Sequence, residues 1–417
     1  MANQRTLLII GLLLSNLLSF AQAGTRTICK TCPVNSIRQG IQQARAGDTL
    51  RVKPGSYTEG NLTIDKPLTL IGENYPVIEG AHQKQEIISV KSDHVTIKGF
   101  RIQNMAPSYT EDIAGIKVYK FEYCLLENNE LHNTFFGIYL NNTSKSIVRN
   151  NKVIGNAENE MSSANAIHLW YCKNITIENN LTQNHRDGIY LEFVENSSVT
   201  GNTSKGNLRY GLHFMFSNHN AYTNNTFTDN GAGVAVMFSR YITMKNNLFL
   251  KNWGSSSYGL LLKEIYDGEI SGNIFKENTI GIYAEGSNRL QVSHNNFEQN
   301  GWALKILGSC MDNVFASNNF LSNTFDLSTN PNATNYNDYT GNYWSEYTGY
   351  DLDKDGIGDV PYRPVKVFSY MVARVPESII LLRSLFIDFL NFAEKVTPVL
   401  TPDTLKDEAP KMKPLPR

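Results

Sequence analysis

An excess of charge of either sign is missing from this chain: 38 Lys and Arg stand against 39 Asp and Glu, a formal net charge of −1. That balance leaves no basic footprint for nucleic acid. Cysteine is scarce, five residues in all, and only Cys29 and Cys32 are close neighbours. An odd number cannot be fully paired within one chain. Cys29 and Cys32 read as a disulfide if the protein is exported, with metal capture by a reduced C-x-x-C as the alternative. Cys124, Cys172 and Cys310 fall in or beside strand-like segments and read as small buried side chains. Long apolar runs are confined to the two ends of the chain. The first, Leu7–Leu18, follows Arg5 and precedes Ala21-Gln22-Ala23, which makes residues 1–23 a secretory signal. No cysteine follows it in a small-residue context, which argues against a lipoprotein anchor.

What the sequence has in abundance is one motif. Ile147–Asn156, Ile175–Asn184, Ile242–Lys251 and Leu290–Gln299 are versions of the same segment. Its second asparagine is read at Asn129, Asn151, Asn180, Asn202, Asn225, Asn247, Asn273, Asn296 and Asn319, with most steps 22 or 23 residues and two longer. A fixed period in this range marks a solenoid. Before each Asn pair comes a Gly-apolar-x-apolar run, such as Gly188-Ile189-Tyr190-Leu191, whose alternation is that of a strand. The unit has no helical period and lacks the leucine ladder of a leucine-rich repeat. The expected fold is therefore all-β, a right-handed parallel β-helix with Asn, Gly and Ser at its corners. Coils would stack about 4.8 Å apart, so roughly a dozen give a rod of about 55–60 Å. Asn suits the corners because it tolerates left-handed backbone and its amide can bond to the next coil.

The organisation expected is a signal at 1–23, an N-terminal segment with a capping helix at 24–47, the β-helix at 48–345, an Asp-rich loop and linker at 346–375, an apolar amphipathic helix at 376–397, and an extended Pro-rich tail at 398–417. The capping helix rests on Asn35-Ser36 before Ile37, Ile41 and Ala44. The Asp-rich loop begins Asp351-x-Asp353-x-Asp355-Gly356 and continues to Asp359, the opening of a calcium loop, but position twelve is Tyr362 instead of the bidentate Glu. Calcium at Asp351, Asp353, Asp355 and Asp359 competes with a simple Asp/Gly turn. In the C-terminal helix, Ile379, Leu382, Leu385, Phe386 and Phe389 belong to an apolar arc wider than a rod end can cover; Arg383 and Asp388 argue against a spanning segment. Capping the rod and docking on a membrane partner or bilayer surface are both open to it.

One column of outward positions points to metal. Along successive coils the first outward residues are Lys117, Tyr139, His168, Tyr190, His213, Ala235, Leu261 and Tyr283. The second are Tyr119, Asn141, Trp170, Glu192, Met215, Met237, Lys263 and Glu285. His213 and Met215 are then neighbours on one strand, and Met237 stacks on Met215. Imidazole and thioether suit Cu(I), and Met avoids a thiolate that an oxidising compartment would oxidise. His168 lies two coils away, about 10 Å, and suits a relay or second site better than a fourth ligand.

The runs Gly211–Ser217, Gly233–Arg240, Asn252-Trp253-Gly254, Tyr258–Glu264, Asn300–Trp302, Gly341–Trp344 and Asp359–Pro364 resemble the NosD family of nitrous oxide reductase maturation proteins. The resemblance covers nearly the whole mature chain. It implies a non-catalytic periplasmic β-helix that binds and delivers copper for a copper-sulfide centre. Its implied partners are a membrane ABC transporter permease, nitrous oxide reductase and a copper-donor chaperone. A rival enzyme class, a uronan lyase or epimerase, would centre on His185-Arg186-Asp187 with Glu192, where no paired-carboxylate ladder accompanies it. A purely structural surface protein would leave the His and Met column without a role.

Overall fold

The computed structural model describes residues 23–307, 309–329, 336–396 and 405–416; the signal assigned to 1–23 lies almost wholly outside them. Each coil contributes one strand to each of three parallel sheets, of 14, 12 and 13 strands. Beyond the first pair, Thr25–Ile28 with Thr49–Val52, every neighbour in a sheet is three strands away in sequence, the topology of a parallel β-solenoid. At about 4.8 Å per coil, 14 strands make a rod about 60 Å long.

Apolar side chains fill its interior. Phe227, Phe249, Phe275, Phe297, Phe320 and Trp344 form one ladder, with centroids 4.9 Å apart from Phe275 to Phe297 and 4.0 Å from Phe320 to Trp344. Two asparagine ladders run beside them. Asn247, for example, donates through Nδ2 to Tyr222 O at 3.1 Å and to Asn273 Oδ1 at 3.0 Å, while its own Oδ1 accepts from Asn225 N. The first ladder runs through Asn273, Asn295, Asn318 and Asn342. Its later rungs are thus Asn295 and Asn318, one residue before the sequence reading of Asn296 and Asn319. The physical marker is the residue preceding the rung: Asn246, His294 and Ser317 all hold φ of 55–56°, and the buried Asn follows that left-handed corner.

The N-terminal end is plugged by α1, Ile37–Gln43, whose N-cap Ser36 accepts from Gln39 N through Oγ. Ile37, Gly40 and Ile41 face inward. A Cβ on Gly40 would meet Ile28 Cδ1 at 2.4 Å, so any larger residue there would have to push the Ile28 side chain aside or lift the helix. Cys29 and Cys32 form a disulfide, and Cys124, Cys172 and Cys310 are buried thiols. Burial pushes Cys172 up to about 12.

The C-terminal region departs from the single helix placed at 376–397. It contains α2, Val367–Arg374, inside the stretch read as linker; then a 3₁₀ turn, Pro376–Leu381; then α3, Leu385–Val396. Arg383 at φ 68° separates the last two, a conformation no helix interior tolerates. Phe368 and Val372 of α2 and Ile387 of α3 pack with Trp302 and Phe325 of the rod. The tail then returns to the rod end, where Asp407 pairs with Tyr339 and Tyr362 and Lys411 with Tyr343.

Candidate metal centre

The register of the 12-stranded sheet aligns the expected columns: Tyr139, His168, Tyr190, His213, Ala235 and Leu261 in one, Trp170, Glu192, Met215, Met237 and Lys263 in the other. Met215 pairs directly with Met237, and His213 sits two residues before Met215 on the strand Tyr210–Met215. The three are therefore brought to adjacent coils.

The first column is not open to solvent, as outward positions of a strand would be. His213 is 5% exposed, His168 7% and Ala235 fully covered. The cause is aromatic packing along the rod and from the strand start: His213 has the Tyr190 ring at 4.7 Å and the Tyr210 ring at 4.8 Å. Met215 and Met237 remain half-buried, so a soft ion would reach His213 from the methionine side.

Both ring nitrogens of His213 are buried and neither has a hydrogen-bond partner among the described residues. Leaving such atoms unpaired is costly, and a metal is one of the few things that would satisfy one. Nδ1 faces Asp187 Oδ2 at 3.6 Å, outside hydrogen-bond range. Asp187 is fully buried and takes a bidentate bond from Arg209, at 2.9 and 2.6 Å. Burial works against that charge, but the Arg209 hydrogen bonds hold Asp187 down to about 2. Burial pushes His213 below its usual range, against the pull of Asp187; the imidazole is thus neutral at pH 7, the form that ligates metal.

His168 is not brought to this cluster. The Tyr190 ring lies between it and His213, 4.8 Å from one and 4.7 Å from the other. Its Nδ1 is 2.9 Å from Asn165 Nδ2. Burial, then the Arg186 charge, push it down to about 3.

Of the residues offered for a lyase or epimerase, His185 turns away, with Nδ1 3.3 Å from Ala164 O. Asp187 is consumed by Arg209, and only Arg186 and Glu192 line a common cavity. In the Asp-rich loop, Asp351, Asp353 and Asp355 bring one carboxylate oxygen each within 4.8 Å of one another. Asp351 accepts from Asp355 N and Gly356 N, and Asp359 accepts from Leu352 N at 2.7 Å. These bonds close the Asp/Gly turn. Of the C-terminal apolar set, Leu385 is 87% and Phe389 71% exposed, Phe386 and Ile379 are also exposed, and Leu382 packs against the Phe325 cluster. No helix among the described residues is long and apolar enough to cross a membrane.

Residues 158–349, which contain His168, His213, Met215 and Met237, match the family described as periplasmic copper-binding protein (NosD); residues 86–183 match the right-handed beta helix region. Over residues 158–349 the chain is similar to the NosD family. Relatives include a probable ABC transporter binding protein NosD of Pseudomonas aeruginosa, 28% identical over 86% of this chain and 87% of that protein. The NosD of Stutzerimonas stutzeri, described in the same words, is 26% identical over 87% and 86%. Among solved structures, a PL6 alginate lyase complex with trisaccharide superposes with a TM-score of 0.62 at 14% identity over 79% of this chain and 87% of that one. The A-module of the mannuronan C-5 epimerase AlgE6 from Azotobacter vinelandii gives 0.61 at 15%, over 75% and 96%. At that identity the likeness shows the fold alone. Sequence reasoning missed Asp187 as a partner of His213, because the two lie 26 residues apart and only the coil register brings them together.

Proposed function

We propose that this chain receives Cu(I) at His213, Met215 and Met237 and hands it on, with an ABC transporter, during maturation of nitrous oxide reductase. Copper is cargo here. The observation that carries the reading is the buried, unpartnered imidazole of His213 beside two half-buried thioethers on adjacent coils. A neutral imidazole and two thioethers favour Cu(I) over the harder divalent ions. Half-exposed methionines give an entry and an exit, which a delivery site needs and a structural metal site does not.

The family is periplasmic by description. The relatives' name supports a transporter as partner, and the exposed row Leu385, Phe389 and Phe392 on α3 is the surface best suited to it. Nitrous oxide reductase and a donor chaperone complete the pathway in this reading. Competition with a chromogenic Cu(I) chelator tests the site: His213→Ala or Met215→Ala should weaken binding tenfold or more. Unchanged affinity in both, with Met237→Ala also silent, sinks it.

A further inference from the structure

A cavity of about 530 Å³ opens on the same sheet one coil before the copper ligands, and nothing in the reading above uses it. Its size is that of a small-molecule site. Arg186, His168, Tyr190, Trp170, Asn141 and Glu192 are among its lining residues. Two cations nearby are neutralised by their own partners: Arg209 by Asp187, and Lys117 by Glu86 at 3.5 Å. Arg186 is different. Its Nε is buried with no hydrogen-bond partner among the described residues, although an unpaired buried donor on a charged group is among the costliest features a fold retains.

We propose that this cavity binds a small hydroxylated carboxylate of sugar-acid type, its carboxylate on Arg186. A guanidinium fork matches a carboxylate bidentately. Glu192 and Asn141, with the exposed Asp112 at the edge of the cavity, offer acceptors for hydroxyl groups. Those carboxylates also repel a bare inorganic anion, so the ligand must bring donors as well as charge. Trp170 is half-exposed, its ring perpendicular to that of Tyr171 at 4.7 Å, and offers an apolar surface to a ring in the cavity. His168 and Tyr190 close the inner side, their rings 4.8 Å apart.

Titration calorimetry on the full mature protein with D-glucuronate, D-glucose, inorganic phosphate and L-glutamate tests this. Glucuronate should bind and glucose and phosphate should not, the first lacking the carboxylate and the second the hydroxylated ring. Arg186→Gln should weaken glucuronate at least tenfold with an unchanged melting temperature, and Arg186→Lys should restore part of the loss. An oligomer of glucuronate in parallel separates the sources: tighter binding than the monomer marks a chain end as ligand, equal binding a free sugar acid. Absence of glucuronate binding at millimolar concentrations, indifference to Arg186→Gln, or preference for glutamate overturns the proposal. Cu(I) affinity of Arg186→Gln should stay at the parent value, so this site and the copper site fail independently.

Discussion

The indole Nε1 of Trp344 donates to a carboxylate oxygen of Asp407, 63 residues further along the chain, at 2.9 Å. The same side chain accepts from Gly341 N at 3.0 Å and from Asn342 N at 2.9 Å. Asn342 is the last asparagine rung, and Asp407 stands where the rung of a further coil would be. An open solenoid end exposes unpaired strand edges and invites end-to-end association. The returning tail closes that end with one acidic residue.

Asp407→Ala should therefore cost about 3–5 kcal/mol, since it strands the buried Asn342 N–H and Trp344 Nε1–H and the partly buried Gly341 N–H. Urea unfolding measures it, and the emission of Trp344 should shift red before the rod melts. Asp407→Asn keeps one acceptor and should cost markedly less. Equal, small losses in both would show that the tail is held by its backbone pairing alone.

Asp326 gives a pH dependence. It is buried in the last coil strand, with Asn323 Nδ2 3.3 Å away as donor. Burial, only partly opposed by Lys366, pushes its carboxyl up to about 7. Below about pH 4 both folded and unfolded states hold the proton and there is no penalty. Between about pH 4 and 7 the unfolded chain releases it first, so stability falls as pH rises, by up to about 4 kcal/mol in all. Asp326→Asn should flatten that slope and raise the melting temperature at pH 8. A slope unchanged by the substitution would assign it to another group.

The rod was legible because its signal is redundant: a 22–23-residue period repeated many times survives any one irregular coil. Register within the motif was less so. His294-Asn295-Asn296 and Ser317-Asn318-Asn319 each offer two buried asparagines, and only the left-handed corner at His294 and Ser317 decides which becomes the ladder rung. The column of His213, Met215 and Met237 followed from alternation alone. Its covering did not, because the Tyr190 and Tyr210 rings that bury His213 come from the neighbouring coil and the strand start. The break at Arg383 carried no proline or glycine to announce it, so the C-terminal stretch read as one helix.

The α3 face separates docking from folding. Leu385 and Phe389 are exposed, while Ile387 on the same helix is buried against Phe325 and Phe368. Leu385→Asp with Phe389→Asp should leave stability within about 0.5 kcal/mol of the parent and release the protein from membranes containing its transporter. Ile387→Asp should instead cost about 3 kcal/mol or more through a buried unpaired charge. Membrane retention of the double variant would reject this face as the docking surface.

The last prediction concerns how His213 is aimed. A ligating histidine is oriented through its second ring nitrogen, and loss of that partner typically costs 10–100-fold in metal affinity. In this chain the group placed to become that partner is Asp187, whose Oδ2 lies 3.6 Å from His213 Nδ1 while Arg209 fixes the carboxylate from the other side. When Nε2 takes the metal, Nδ1–H needs an acceptor, and a small ring rotation brings it to Asp187. Asp187→Asn should therefore lower Cu(I) affinity about tenfold, measured by chelator competition, with the loss absent in a His213→Ala background. Arg209→Gln leaves the carboxylate in place but free to turn, and should produce a smaller loss at the same site. If Asp187→Asn binds Cu(I) as the parent does while His213→Ala does not, the carboxylate serves only to hold Arg209, and the imidazole is oriented by the Tyr190 and Tyr210 rings.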